Sequence, residues 1–567
     1  MRSCFRYLML GLSLAAILFA GAESSAQPRA KIPPPPPATT GNGSSGSNPS
    51  ANESSTKRPA WGNKADETAD AAGIKVLTPI VDRDDELVFA PSPSPMVAIG
   101  KIVFDASSAK EVGKIDAYSD ETSTKYALSP SGQYFAQTNK EKYHNFIEVI
   151  DTTTGQRVQK LEYEPGDFQN VFHMQFTSHN HLAAVVQSRS SGGGKLCLWR
   201  MSDGKLLREF PTERASERQV AFTGNGAYMA AAMKGKLLVF DVAKKQQVAE
   251  MRKPPPETGV TSVGSVAALA FAPDGNELAA IVTGKEAAHH LIIWGADGRI
   301  VEQHDLKLTI GAGYYKPGGI EWAPDGQGLL LHGKYYFDRK LGALAFIIHP
   351  HPSHHYPHRF LDDEHLLVTN GNFESRNLVS LEIPRQAIAD SAEKLKSGTE
   401  TLLKPGDTVH LKVEVGATKF VQGSEVLKEL TDTITKRLEA GGLKVAAGAP
   451  VVLTVKYSEE TGEDLMVVER DRFSIRGRPT GQVVKETIAK LDAEMVSGGK
   501  SIFKKTMSMG NPHHIHSGVV NDEEVRKAMF NLISYRLQSM QIPYFIPADD
   551  KALRLPVIAD LREHKLD

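Results

Sequence analysis

The chain has 567 residues, too many for one ordinary core, and 66 basic against 67 acidic residues leave a formal net charge of -1. That balance gives no global electrostatic reason to expect nucleic acid or an anionic membrane as the main partner. Cys4 and Cys197 are the two cysteines. Cys4 lies in a segment expected to be removed, so a mature chain with one thiol forms no internal disulfide and must rely on its cores.

Arg2 and Arg6, then the apolar run Leu8 to Ala20, then small residues, predict a signal peptide over residues 1–26. Cleavage falls after Ala22 or after Ala26. A membrane anchor is the competing reading, but the run is short for a bilayer span, and no cysteine follows closely enough for lipid attachment. The expected location is a periplasm or the extracellular space, with no membrane span after signal removal. Residues 27–75 change composition sharply, with a proline run at Pro33 to Pro37 and a Gly/Ser/Asn/Thr-rich stretch from Thr39 to Ser55. So few apolar residues cannot offset the entropy of ordering, which predicts a disordered linker.

From residue 76 to 385 two signals alternate. The first is an apolar or aromatic residue before a polar turn, as in Phe271-Ala272-Pro273-Asp274-Gly275 and Trp322-Ala323-Pro324-Asp325-Gly326. The full set of anchors is Phe89, Leu128, Phe176, Phe222, Phe271, Trp322 and Phe360, spaced 38 to 51 residues apart. The second closes an apolar run: Phe104-Asp105, Ile150-Asp151, Trp199-Arg200, Phe240-Asp241 and Trp294-Gly295. Between the two lie small apolar runs such as Met229 to Ala232, suited to crowded inner strands. Each period is one four-stranded blade, and seven anchors predict a seven-bladed β-propeller. Closing the ring requires an amino-terminal strand to pair with the last blade, either Ile74 to Leu77 or Leu87 to Phe89. Cys197, inside Lys195 to Trp199, reads as a buried small apolar residue.

On these turns and strand ends the middle of the chain resembles WD-repeat-like bacterial β-propeller proteins of the exported kind. It departs from them in lacking the Gly-His and Trp-Asp dipeptides, so the hydrogen-bonded network of true WD repeats does not carry over. The resemblance implies a fold, and the scaffold hosts many unrelated functions.

Residues 386–405 read as a connector opening with a helix from Gln386 to Lys396, and residues 406–547 as a small α+β sandwich domain. Alternation predicts a strand from Val409 to Val415, and Val426, Leu430, Ile434 and Leu438 mark one face of a helix ended by Gly441-Gly442. Val451 to Val455, Leu465 to Val468, Ala489 to Met495 and Ser501 to Met507 read as further strands. Asn521 with Glu524 reads as a capping box before a closing helix. The order is loosely similar to the small domain of TolB-type envelope propellers, although here it follows the propeller. Residues 548–567 are expected to be a C-terminal tail.

No Gly-x-Ser-x-Gly elbow and no phosphate-cradling loop are present, and Gly41, Gly43 and Gly46 match a dinucleotide fingerprint only inside the linker. The repeated tryptophan docking motif of quinone-dependent propellers is absent too. The carboxylates Asp84, Asp85, Asp362, Asp363 and Glu364 are explained by turns as well as by catalysis. The densest unusual cluster is His349, His351, His354, His355 and His358, a candidate for a transition metal whose geometry the interleaved prolines leave open. His513, His514 and His516 form a smaller group. No other cofactor is expected. The sequence therefore points to an exported, non-catalytic binding or scaffold protein that takes a protein or envelope component on the propeller rim or funnel. Candidate rim segments are Arg252 to Val263 and the His-rich stretch. The alternative is an exported enzyme with a funnel site, metal-assisted at that stretch.

Overall fold

The computed structural model describes residues 74–566 except 77–80, 83–86, 92–93, 117–124, 142–143, 164–168, 177–180, 189–193, 213–219, 225, 234, 256–259, 261–262, 264–265, 284–288, 307–318, 350–358, 372–374, 417–422, 470–477, 510–513, 517–526, 550–552, 561–564 and scattered positions of 528–541. Apolar alternation with short polar turns at the predicted period yields seven small antiparallel sheets in a ring, a seven-bladed β-propeller. The innermost strands of blades 1 to 7 are Leu87–Phe89, Tyr126–Leu128, Gln169–Phe176, Val220–Phe222, Val266–Phe271, Ile320–Trp322 and Arg359–Phe360.

Seven apolar layers between neighbouring blades hold the ring. Alternate residues of each strand face opposite neighbours: in blade 5, Leu291 and Ile293 pack toward blade 6, whereas Ile292 and Trp294 pack toward blade 4. Small residues let these layers approach, as with Ala183 and Ala184, Ala230 to Ala232, and Ala279 and Ala280, all buried. Cys197 is buried in the layer between blades 2 and 3. Indole N–H groups tie blades together: Trp322 Nε1 donates to the Ala270 carbonyl at 3.0 Å and Trp294 Nε1 to that of Arg252 at 2.8 Å.

Ring closure uses the first of the two expected strands. Ile74–Val76 pairs antiparallel with Ser375–Glu382 of blade 7, in the register Ile74 to Leu381. Leu87–Phe89 instead opens blade 1, because its residues Leu87 and Val88 feed the layers on both sides. The layer between blades 7 and 1 contains Leu87, Val97, Leu361, Leu367 and Leu378, so the closure is apolar as well as hydrogen-bonded.

Helix α1, Arg385–Ser397, leaves blade 7 and ends at Gly398, whose φ of 71° is the left-handed conformation that glycine adopts at no steric cost. The following domain is a sheet in the order 444–445, 408–415, 451–469, 478–497, 500–509. Helix α2, Gly423–Ala440, crosses between the parallel strands Thr408–Val415 and Val451–Glu469. Its residues Val426, Leu430, Ile434 and Leu438 are buried against Leu453, Val455 and Leu491. The Leu443 N–H donates to Leu438 O and the Gly442 N–H to Glu439 O, a Schellman ending around Gly442. Phe530, Ile533 and Leu537, which are helical, and Met540 after them join the same core. The strands expected at Val451 and at Leu465 are one 19-residue strand, since polar residues Ser458 to Asp464 continue the ladder in a long hairpin. Asn521 and Glu524 lie outside the described residues.

The stretch expected as a tail is part of the fold. Within it Val557–Asp560 adds in parallel to Ala343–His349, the outer strand of blade 6, with Lys565–Leu566 beyond it, while Ile546–Pro547, the end of the expected domain, pairs with Thr401–Leu403. Val557 and Ala559 enter the layer between blades 6 and 7. Val557, Ile558 and Ala559 are apolar in succession, so no alternation announces this strand. Among the described residues no helix is long and apolar enough to cross a membrane.

Candidate binding site on the propeller axis

Innermost strands of four blades converge on a cleft of about 200 Å³. Phe89 and Pro91 come from blade 1, Tyr126 to Leu128 from blade 2, His173 to Phe176 from blade 3 and Arg359 from blade 7. Only the ring axis brings these four strands together, so the cleft belongs to the propeller funnel.

Its charged member is placed by the repeat itself. The position before each anchor is Val88, Ala127, Gln175, Ala221, Ala270, Glu321 and Arg359 around the ring. Blades 6 and 7 therefore put a carboxylate and a guanidinium on adjacent inner strands. Arg359 Nε lies 3.3 Å from Glu321 Oε1, Nη1 donates to the Ala90 carbonyl, and the guanidinium stands 5.7 Å from the centre of the Phe89 ring. One side chain thus ties blades 6, 7 and 1. Among the described residues its Nη2 has no protein acceptor, which leaves donors for a ligand. Burial raises the Glu321 carboxyl above the ordinary carboxylate range, opposed by Arg359 and by the Phe360 N–H. Across the cleft the His173 ring stacks on Phe222 at 5.9 Å, with Nε2 3.4 Å from Gln175 Oε1. Aromatic walls, one guanidinium and an amide suit recognition by contact.

Of the predicted metal residues, the structure places only His349, whose backbone ends the outer strand of blade 6 in register with Asp560. His351, His354, His355 and His358 lie outside the described residues. In chain order both expected rim segments fall between the outer strand of one blade and the inner strand of the next, and residues 256–259, 261–262 and 350–358 of them lie outside the described residues. The one opening at Arg252 is partly core, because Pro254, Val260 and Val263 are buried. Sequence reasoning missed Arg359, Glu321 and Gln175. The signal was available, since these are the polar residues at a position otherwise filled by Val or Ala.

No family model and no curated protein matches the chain. Among solved structures it is similar to hydrazine synthase of Kuenenia stuttgartiensis, at TM-score 0.32 and 13% identity, over 43% of this chain and 72% of that one. A likeness so loose carries no argument.

Proposed function

We propose that this is an exported, non-catalytic binding or scaffold protein whose axial cleft takes a group presented by a protein or another cell-envelope component. The observation that carries this reading is the convergence of Arg359, Gln175, His173, Phe89 and Tyr126 from four blades on one cleft. Rigid strands hold these side chains, so binding requires little ordering of the site. Export rests on the amino-terminal pattern of Arg2, Arg6 and the run Leu8 to Ala20.

The test compares wild type with Gln175→Trp, which fills the cleft from a half-buried position. Immobilised wild type should retain a specific component of an envelope extract that the filled variant loses, at unchanged melting temperature. Equal retention by both would contradict the axial site. Export predicts an exported form beginning at Glu23 or Gln27, read by intact mass, and an uncleaved cytoplasmic product would contradict it.

A further inference from the structure

With the axial cleft as the binding site proposed above, on which this inference rests, its unused hydrogen-bond donors define the chemistry of the ligand. Arg359 donates through Nε toward Glu321 at 3.3 Å and through Nη1 to the Ala90 carbonyl. Its Nη2 keeps both N–H bonds with no acceptor among the described residues. The side chain is 24% exposed, so a ligand can reach the guanidinium without the group standing in bulk water.

Gln175 adds a second donor. Its Oε1 lies 3.4 Å from His173 Nε2, and an amide oxygen only accepts, so that ring nitrogen carries the hydrogen. The Gln175 oxygen is thereby turned to the histidine, and its amide nitrogen has no acceptor among the described residues. Apart from Arg359, Gln175 and His173, the described lining side chains are apolar or aromatic, and none is a carboxylate. Glu321 is not part of that lining. Burial pushes its carboxyl above the ordinary range, opposed by Arg359 and the Phe360 N–H, which favours the neutral form beside the cation.

We infer that the cleft takes a single carboxylate carried on a small apolar or aromatic body, with Arg359 Nη2 and Gln175 Nε2 donating to its oxygens and Phe89, Pro91 and Tyr126 flanking the body. One guanidinium and one neutral amide match one negative charge, whereas a dianionic phosphate would leave charge unpaired in a half-buried site. The volume of about 200 Å³ suits a body the size of one phenyl or leucyl group. Such a carboxylate comes either from the end of a chain that finishes in an apolar residue or from a free aromatic or branched acid.

The experiment is fluorine NMR titration of the full chain with para-fluorophenylacetate and with its uncharged isostere para-fluorophenylacetamide. Wild type should bind the acid roughly tenfold or more tightly than the amide. Gln175→Glu keeps the shape, removes a donor and sets a like charge in the cleft. It should bind the acid roughly tenfold more weakly while holding the amide and a cooperative melt. Arg359→Gln should lose the preference too, but it also unties blades 6, 7 and 1, so Gln175→Glu is the decisive variant. The peptide Gly-Gly-Phe and its carboxy-terminal amide distinguish the sources. Binding of the free peptide and not its amide means a presented chain end, binding of the small acid without the peptide means a free acid, and both uphold the carboxylate. Equal binding of acid and amide by wild type, undiminished binding of the acid by Gln175→Glu, or binding of neither by wild type overturns the inference. An envelope component lost by Gln175→Trp yet kept by Gln175→Glu would uphold the axial site and overturn the carboxylate.

Discussion

Arg339 shows how a single side chain joins two blades. Its Nη1 lies 3.0 Å from Glu277 Oε2 and its Nε 2.9 Å from Glu302 Oε1, both on blade 5, while the guanidinium stands 5.1 Å from the centre of the Trp322 ring of blade 6. Burial alone would raise the Glu302 carboxyl, but the bonds from Arg339 and His304 outweigh it and hold the group below the ordinary range. Glu148 follows the same rule, with burial outweighed by bonds from Asn139, Gln137 and Arg157. Such carboxylates contribute stability that is complete above their unfolded value near 4.5 and lost as pH falls through the lower folded value. Glu321 has the opposite sign. Its raised folded value means that its contribution is present below pH 4.5 and lost as pH rises through the folded value. Glu321→Gln should therefore flatten the fall in melting temperature above pH 4.5, and an unchanged pH profile would contradict the assignment. Arg339→Ala should cost about 2–4 kcal/mol in denaturant unfolding, since it leaves two half-buried carboxylates without their partner. Arg339→Lys, which keeps the charge and loses the fork, should cost less.

At the scale of the element, the repeat was legible because each blade repeats a turn and an anchor. The second signal, a large apolar residue closing the third strand, coincides with a β-bulge against the fourth. The register shifts at Phe104, Trp199, Phe240, Trp294 and Phe337. In each case the extra residue, Val112, Leu207, Val248, Val301 or Ala345, lies on the fourth strand, and blade 2 has the same shift at Ile150, so the position that closes the third strand is large and apolar without being always aromatic. Gly328 shows how tight this packing is. A Cβ there would stand 2.5 Å from Cζ of the Tyr336 ring, so Gly328→Ala should destabilise by about 1–3 kcal/mol in denaturant unfolding. The four-residue strand near the carboxy terminus escaped sequence reading because its parallel partner lies more than two hundred residues earlier. Val557 and Ala559 enter the layer between blades 6 and 7, and Ile558 between them is buried too, so the run shows no alternation. Removing residues 557–567 should lower the melting temperature and uncover the edge of Ala343–His349, with concentration-dependent self-association seen by light scattering. A monomer with unchanged melting temperature would show the strand to be dispensable.

For the whole molecule, the ring and the small domain were readable from period and alternation, whereas the axial cleft was not. Its residues are far apart in sequence, from Phe89 to Arg359, and apart from the polar choices Gln175 and Arg359 before their anchors they look like ordinary strand residues until the blades close. The His-rich run drew attention by composition and lies, from residue 350, outside the described residues, whereas His289 and His332, isolated in sequence, come to stand with ring centres 6.4 Å apart across the boundary of blades 5 and 6. Closure is what brings these inner strands together, and the strand Ile74–Val76 completes it. The most direct measurement is photo-crosslinking from a reactive residue placed at Gln175, with Val158 on the outer strand of blade 2 as the control. An axial binding protein predicts a discrete adduct in envelope preparations at Gln175 that is absent at Val158. Equal labelling at the two positions, or none at Gln175, would contradict it.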